Sequence, residues 1–286
     1  MKTIDELYRK YPSPCYILFE ESLEANLQLL DLVQQSADVS IICALKGFAF
    51  WRMFPLVKQY LHGATASSLN EARLISEEMG CEAHTYAPVY TDQDFEQLLM
   101  YSSHLTFNSL TQYNRFHDRA AAFPKKVSLG LRINPEYSEI ETDLYNPAVP
   151  GSRLGILRED MPDTLPEGIE GLHFHVLCEN DSYALERCLK AAEEKFGDLI
   201  QQCKWFNMGG GHHISDGKIT SYAITFETGK ADLKPESVIE INRVVALMNE
   251  HPELSFEVQG HCDNTGTDAV NDPLSQQRAA CKEPSP

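Results

Sequence analysis

Seven short apolar runs, each set off from the next by turn or helix-forming residues, constrain this chain more than any other feature. They are "VSIICAL" (39–45), "GATASS" (63–68), "AHTYAP" (83–88), "HLTFNS" (104–109), "KVSLGLRIN" (126–134), "GLHFHVL" (171–177) and "WFNMGGG" (205–211). The first is almost wholly apolar, as expected of a strand buried on both faces. The segments between them carry helical periodicity. "ESLEANLQLLDLVQQ" sets Leu23, Leu27, Leu30 and Val33 on one face; "SYALERCLKAAEEKFG" turns Leu185, Leu189, Ala192 and Phe196 inward, with Gly197 as a stop. Alternating βα units predict an α/β fold with a parallel sheet, and about seven of them make an incomplete (β/α)₈ barrel.

The pattern changes after "WFNMGGG". "SDGKITS" is a polar linker, and beyond it the chain takes on a different rhythm. Pro235 opens a helix with Val238, Ile241, Val245 and Met248 on one face, and Pro252 lies just beyond its end. "LSFEVQ" then alternates Leu254, Phe256 and Val258 with polar neighbours, the mark of a half-buried strand. This small α+β (β-α-β) unit does not continue the barrel. The expected division is a barrel fragment over 1–215, a linker over 216–221 and a second module over 222–286.

The 24 Lys and Arg against 42 Asp and Glu leave a net charge of -18. That argues against nucleic acid or an anionic membrane as partner and suits a cationic ligand. The eight cysteines form no CxxC pair, so reduced thiols are expected rather than a zinc site or disulfide framework. "MKTIDELYRKYPSPCYILFEE" holds no apolar stretch of signal-peptide or membrane-span length, which leads to the expectation of a cytoplasmic protein.

Several residues have the character of a site. "VSIICAL" runs straight into Lys46, and a lysine among apolar neighbours is partly desolvated, which favours the neutral, nucleophilic amine. At the end of a barrel strand such an amine can form an imine with an aldehyde, although a lysine that merely snorkels outward satisfies the same residues. His173 and His175 stand two apart on one strand and hence on one face, where an imidazole can lie against an aromatic ring. A metal reading of this H-x-H is set aside, because no further His or Asp falls at matching strand ends. Gly209, Gly210 and Gly211 offer successive backbone N–H groups that can close on a phosphate, or a tight turn. In the second module Asp263 ends a strand and Arg278 lies on a helix, a pair able to clamp the amine and carboxylate of an amino acid, although an ordinary turn aspartate and a surface helix arginine satisfy the same spacing.

In combination, "PSPCYILFEESLEANLQLL", "ICALKGFAFW", "HGATASSLNEARL", "LRINPEYSEI", "SRLGI", "GLHFHVLCEN" and "NMGGGHHIS" resemble the carboxynorspermidine decarboxylases. These are pyridoxal 5'-phosphate enzymes of the alanine-racemase-fold decarboxylases, acting on carboxynorspermidine or carboxyspermidine in polyamine biosynthesis. The resemblance spans residues 1 to about 215. It implies that Lys46 is the Schiff-base lysine, that His175 packs on the cofactor ring, and that Gly209, Gly210 and Gly211 hold the phosphate. It also sets Ser68 and Arg132 near the cofactor. The family continues past the triple glycine into an eighth strand with an "EPG" motif, whose glutamate pairs with the pyridine nitrogen. It then adds a β-rich domain on which its homodimer and substrate contacts depend. Neither is present in this sequence, so the barrel is expected to have open edges between its first and seventh strands, with little or no turnover. The oligomeric state is left open.

The pattern "ITFETGKADLKPES…EINRVVALMNEHPELSFEVQGHCDNTG…N…LSQQRA" resembles the OmpA-like peptidoglycan-binding domain over 222–281. That resemblance implies Asp263 and Arg278 as ligands for the diaminopimelate of cell-wall peptide, with Asn271 nearby. Peptidoglycan lies outside the cytoplasmic membrane, so the two halves make opposite demands on location. Three functions are compatible with these residues: a decarboxylase, a peptidoglycan binder, or a barrel that holds pyridoxal phosphate without catalysis.

Overall fold

The computed structural model describes residues 10–11, 14–140, 142–211, 234 and 237. The chain divides into two compact units, Met1–Asp216 and Gly217–Pro286. In the second, the Ser237 N–H donates to the Lys234 carbonyl at 3.0 Å. The helix and strand expected over 235–258, and Asp263, Asn271 and Arg278, lie outside the described residues.

Among the described residues the first unit is built on seven parallel strands in sequential order. They are β1 (Cys43–Ala44), β2 (Ala64–Ala66), β3 (Ala83–Tyr86), β4 (Ser102–Phe107), β5 (Ser128–Arg132), β6 (Ile169–His173) and β7 (Trp205–Asn207). Helices α1 (Glu20–Ala37), α2 (Phe54–Tyr60), α3 (Leu69–Leu74), α4 (Phe95–Tyr101), α5 (Leu110–Ala121) and α6 (Ser182–Ile200) complete the βα pattern. Each of the seven predicted strands is present, in a singly wound parallel sheet. Strand order alone distinguishes a barrel progression from a doubly wound sheet, because no crossover reverses direction.

The helix-facing side of the sheet is apolar. Ala83, Leu105, Phe107, Leu129, Leu131 and Leu172 are buried against the helices. Phe95 of α4 and Phe116 of α5 stack at 4.4 Å beneath Tyr90, whose hydroxyl donates to the Thr106 carbonyl at 2.7 Å. The concave side is polar and carries His84, Tyr86, His104, Ser128, Arg132 and His173. Gly130 and Gly171 lie side by side on adjacent strands, and a Cβ at either would overlap the Trp205 ring. The indole lies over them, bonded through Nε1 to Ser128 Oγ at 2.8 Å and edge-on to His104. Filling the concave face by one aromatic over two glycines lets the sheet curl, and the result is a half-barrel.

Three local expectations are corrected. The run 39–45 is a strand only at Cys43–Ala44, because β1 stands at the sheet edge and the Ile41 N–H meets Gln34 Oε1 at 2.7 Å. Val33 is exposed at 45%; the buried stripe of α1 runs through Leu27 and Gln34 instead. Gly197 does not stop α6, which continues to Ile200 so that Leu199 is buried in the core. No helix among the described residues is long and apolar enough to cross a membrane.

The concave face can be probed in two ways. Gly171→Ala places a methyl inside the Trp205 ring and is expected to cost about 1–3 kcal/mol, measured as a loss of unfolding free energy in urea. Burial holds His84 and His173 well below the ordinary 6.5, at about 4 and about 3, with His104, and Arg132 and His175, adding repulsion. Both pKa values are lowered in the folded state, so the unfolded chain binds more protons below 6.5. Stability is therefore complete above that pH and falls as the solution is acidified toward the folded values. Unfolding free energies from urea titrations down to about pH 5 should decline by up to about 1.4 kcal/mol per pH unit per histidine, and His84→Gln should flatten that slope.

Candidate functional site

Every residue singled out on the barrel strands ends up at their carboxyl ends. Lys46 follows β1, Ser68 follows β2, Arg132 closes β5, His175 follows β6 and Gly209–Gly211 follow β7. In parallel α/β sheets this is the end at which ligands bind, because the loops there are free of the strand ladder and helix N-termini begin nearby.

The central contact is between Lys46 Nζ and His175 Nε2, 3.4 Å apart. Five strand spacings separate β1 from β6 in sheet order, about 24 Å across a flat sheet. The two side chains meet only because the sheet is curled. Lys46 is exposed, which corrects the expectation of a lysine desolvated by its neighbours: Cys43 and Leu45 take the buried positions of this segment, and the chain turns at Gly47. Its place over the mouth of the barrel, rather than burial, sets it apart.

His175 is oriented from two sides. Its Nδ1 accepts from the Gly210 N–H at 3.1 Å, so in the neutral ring the proton lies on Nε2, facing Lys46. Its carbonyl accepts from Arg132 Nη2 at 3.0 Å. His173, by contrast, is buried beneath, with Nδ1 3.2 Å from the Asn207 carbonyl and its ring 5.4 Å from Tyr86. The strand ends at His173, and His175 lies two residues beyond it, past the buried Phe174.

The triple glycine is a cradle shaped by close packing. Gly209 and Gly211 have φ of +74° and +99°, and a Cβ at either would strike the backbone of 174–178. Gly210 faces outward with nothing within 4 Å of where its Cβ would stand. The Gly209 N–H donates to Asn207 Oδ1 at 2.8 Å, so both it and the Gly210 N–H have protein acceptors here. Ser68 is the N-cap of α3, its Oγ accepting from the Glu71 N–H at 3.2 Å. The same device recurs at β4–α5, where Ser109 Oγ caps the Gln112 N–H and Gln112 Oε1 takes the Asn108 N–H. These S-x-x-E and S-x-x-Q boxes are visible in "SSLNE" and "NSLTQ" and fix both loops at the site's rim.

Arg132 is the most constrained of the set. It is 3% exposed, donates through Nη1 to the Tyr86 hydroxyl at 2.6 Å, and its Nε has no partner among the described residues. Tyr86 and Asn108, joined at 2.8 Å, belong to this cluster and were not legible as site residues in the sequence. Among the described residues no group of three His, Cys, Asp or Glu could hold a metal ion.

Known proteins fall in two sets. The carboxyaminopropylagmatine decarboxylase of Synechocystis sp. is 49% identical over 214 residues, covering 74% of this chain and 55% of that protein. The carboxynorspermidine/carboxyspermidine decarboxylase of Campylobacter jejuni is 44% identical over 208 residues, covering 73% and 53%. The crystal structure of carboxynorspermidine decarboxylase complexed with norspermidine from Campylobacter jejuni superposes with a TM-score of 0.63 at 42% identity, over 71% of this chain and 52% of that one. The diaminopimelate decarboxylase of Helicobacter pylori shares the fold, at 16% identity and a TM-score of 0.59, over 86% and 63%. The OmpA family model matches residues 225–281. Outer membrane porin F of Pseudomonas aeruginosa is 38% identical over 56 residues, 20% of this chain and 16% of that protein. The chain spans about half the length of the curated decarboxylases it matches. Over about three quarters of its residues it is homologous to the carboxynorspermidine/carboxyspermidine decarboxylases, and its C-terminal part carries an OmpA-family segment.

Proposed function

We propose that the first unit binds pyridoxal 5'-phosphate at Lys46 and decarboxylates a small cationic, polyamine-type amino acid such as carboxynorspermidine or carboxyspermidine. The observation that carries this reading is the Lys46–His175 contact across the mouth of a curled parallel sheet, in a chain homologous to such decarboxylases. Lys46 supplies an accessible amine for an aldehyde. His175, with its ring fixed by Gly210 and its backbone by Arg132, offers a flat face beside that amine. Gly209–Gly211 form the cradle with room at Gly210, and the buried Arg132 Nε–H is a donor held for a ligand oxygen. Ser68 stands at the rim, where its hydroxyl also caps α3. When bound, pyridoxal phosphate supplies a conjugated ring that takes up the electron pair left as carbon dioxide departs.

Turnover by this chain is proposed to be slow. Among the described residues the sheet has seven strands, and residues 225–281 match the OmpA family, whereas the resemblance to the decarboxylases implies an eighth strand whose glutamate pairs with the pyridine nitrogen. Without that carboxylate the ring is a weaker electron acceptor. Adding pyridoxal phosphate to the full chain should give the visible absorbance band of the lysine-bound cofactor, and Lys46→Ala should abolish it. A band that survives Lys46→Ala, or never forms, overturns the reading. A band without carbon dioxide release from carboxynorspermidine identifies a cofactor-binding barrel rather than an enzyme.

A second reading rests on the OmpA match alone: residues 222–281 bind peptidoglycan, with Asp263 and Arg278 gripping the diaminopimelate side chain and Asn271 beside them. Co-sedimentation of the chain with purified sacculi should fall at least about tenfold in Arg278→Ala, as expected for loss of a charge-assisted pair. Equal sedimentation of both proteins would remove this reading.

A further inference from the structure

We infer that Tyr86 and Asn108 are positioning residues for His175, acting through Arg132; the inference deepens the reading of Lys46 and His175 as a cofactor site and rests on it. Four groups form a chain of hydrogen bonds whose direction is fixed by chemistry. Arg132 has only donors. Its Nη1 gives a proton to the Tyr86 hydroxyl at 2.6 Å, and its Nη2 gives one to the His175 carbonyl at 3.0 Å. Having accepted from Arg132, the Tyr86 hydroxyl donates its own proton to Asn108 Oδ1 at 2.8 Å. Asn108 Oδ1 also accepts from the Gly155 N–H at 3.0 Å, and its Nδ2 donates to the Arg153 carbonyl at 2.8 Å.

Asn108 therefore anchors the chain on the backbone of the 153–155 segment, and that anchor is rigid. Its own N–H is taken by Gln112 in the capping box of α5. Gly155 sits at φ +89°, where a Cβ would collide with the Ile133 backbone. The Ile133 and Ile156 segments bridge, with Asn134 N–H to Ile156 carbonyl and Ile156 N–H to Arg132 carbonyl both at 2.9 Å. Asn108 and Arg132 are 8% and 3% exposed, so little water is at hand to replace a lost partner.

His175 needs such a clamp because it lies beyond the end of β6, outside the ladder that holds His173. Arg132 grips its carbonyl, and Gly210 grips its ring. If the Tyr86 hydroxyl is removed, Arg132 keeps the ring face of residue 86, 4.9 Å away, and loses the bond that fixes its rotation. The His175 backbone then relaxes, and the bond from Gly210 to His175 Nδ1 lengthens.

The test is hydrogen exchange at single amides in the full chain, comparing Tyr86→Phe with wild type. The expected result is a rise of about fivefold to tenfold in exchange of the Gly210 amide, with the β4–β5 ladder amides of Leu105 and Leu131 unchanged. Asn108→Leu, which removes the acceptor of the Tyr86 hydroxyl and of the Gly155 N–H, should raise Gly210 exchange in the same way. This variant carries the test if Tyr86→Phe does not fold. Unchanged Gly210 exchange in folded Tyr86→Phe or Asn108→Leu overturns the proposal, as does an equal rise at Leu105, Leu131 and Gly210, which marks a general structural role. Pyridoxal phosphate binding is scored separately: failure of the wild type to bind defeats the cofactor reading while the exchange result still stands.

Discussion

The structure depends on a packing constraint on the concave side of the sheet. Gly130 and Gly171 carry no Cβ where Trp205 lies, and only there can an indole seat flat against two adjacent parallel strands. The sheet can then close around its own aromatic filler rather than remain open. Closure brings the loop after β1 over the loop after β6, and that is the condition for Lys46 and His175 to meet. A flatter sheet with the same sequence order would leave the amine and the imidazole on opposite sides of a wide face.

The polarity of the half-barrel obeys the same logic. Toward its lower end the concave surface is a stack of small or neutral groups: His84 on His104 at 4.0 Å, Trp205, and Ser128 bonded to Glu170. Lys204 and Ser128 hold the Glu170 carboxyl well below its ordinary range, at about 2, so it stays ionised. Toward the upper end the groups become charged or bonded in sequence: Arg132, Tyr86, Asn108. Burial raises the Tyr86 phenol while Arg132 opposes the shift, which keeps the hydroxyl a neutral relay between a cation and an amide. The site thus rests on a partly exposed base of neutral groups and has a hydrogen-bonded wall in which Arg132 and Asn108 are buried.

Much of this was legible in the residues. The seven βα units show in the run lengths and periodicity, and Lys46, His175 and the triple glycine stand out because each lies just past an apolar run. What could not be read was geometry across the sheet. That β6 ends at His173, so that His175 stands outside the strand ladder, is set by pairing with β7 and not by the alternation of the run itself. Lys46 looked buried from its neighbours, yet side-chain direction at a strand end is set by the turn beyond it. Tyr86 and Asn108 gave no signal of their own, since a tyrosine in "AHTYAP" and an asparagine before a capping box are ordinary. Only contacts between residues dozens of positions apart reveal them.

The place of Trp205 in the chain has a consequence for synthesis. The two glycine gaps on β5 and β6 are made well before residue 205 leaves the ribosome, and the side chain that fills them comes on the last strand of the sheet. A nascent chain shorter than that leaves the concave side of β5 and β6 without the ring that covers it, while the strands keep their intrinsic twist. Domains fold as units once their distant parts are present. The packing of the indole over the two glycines therefore becomes available only once residue 205 has emerged.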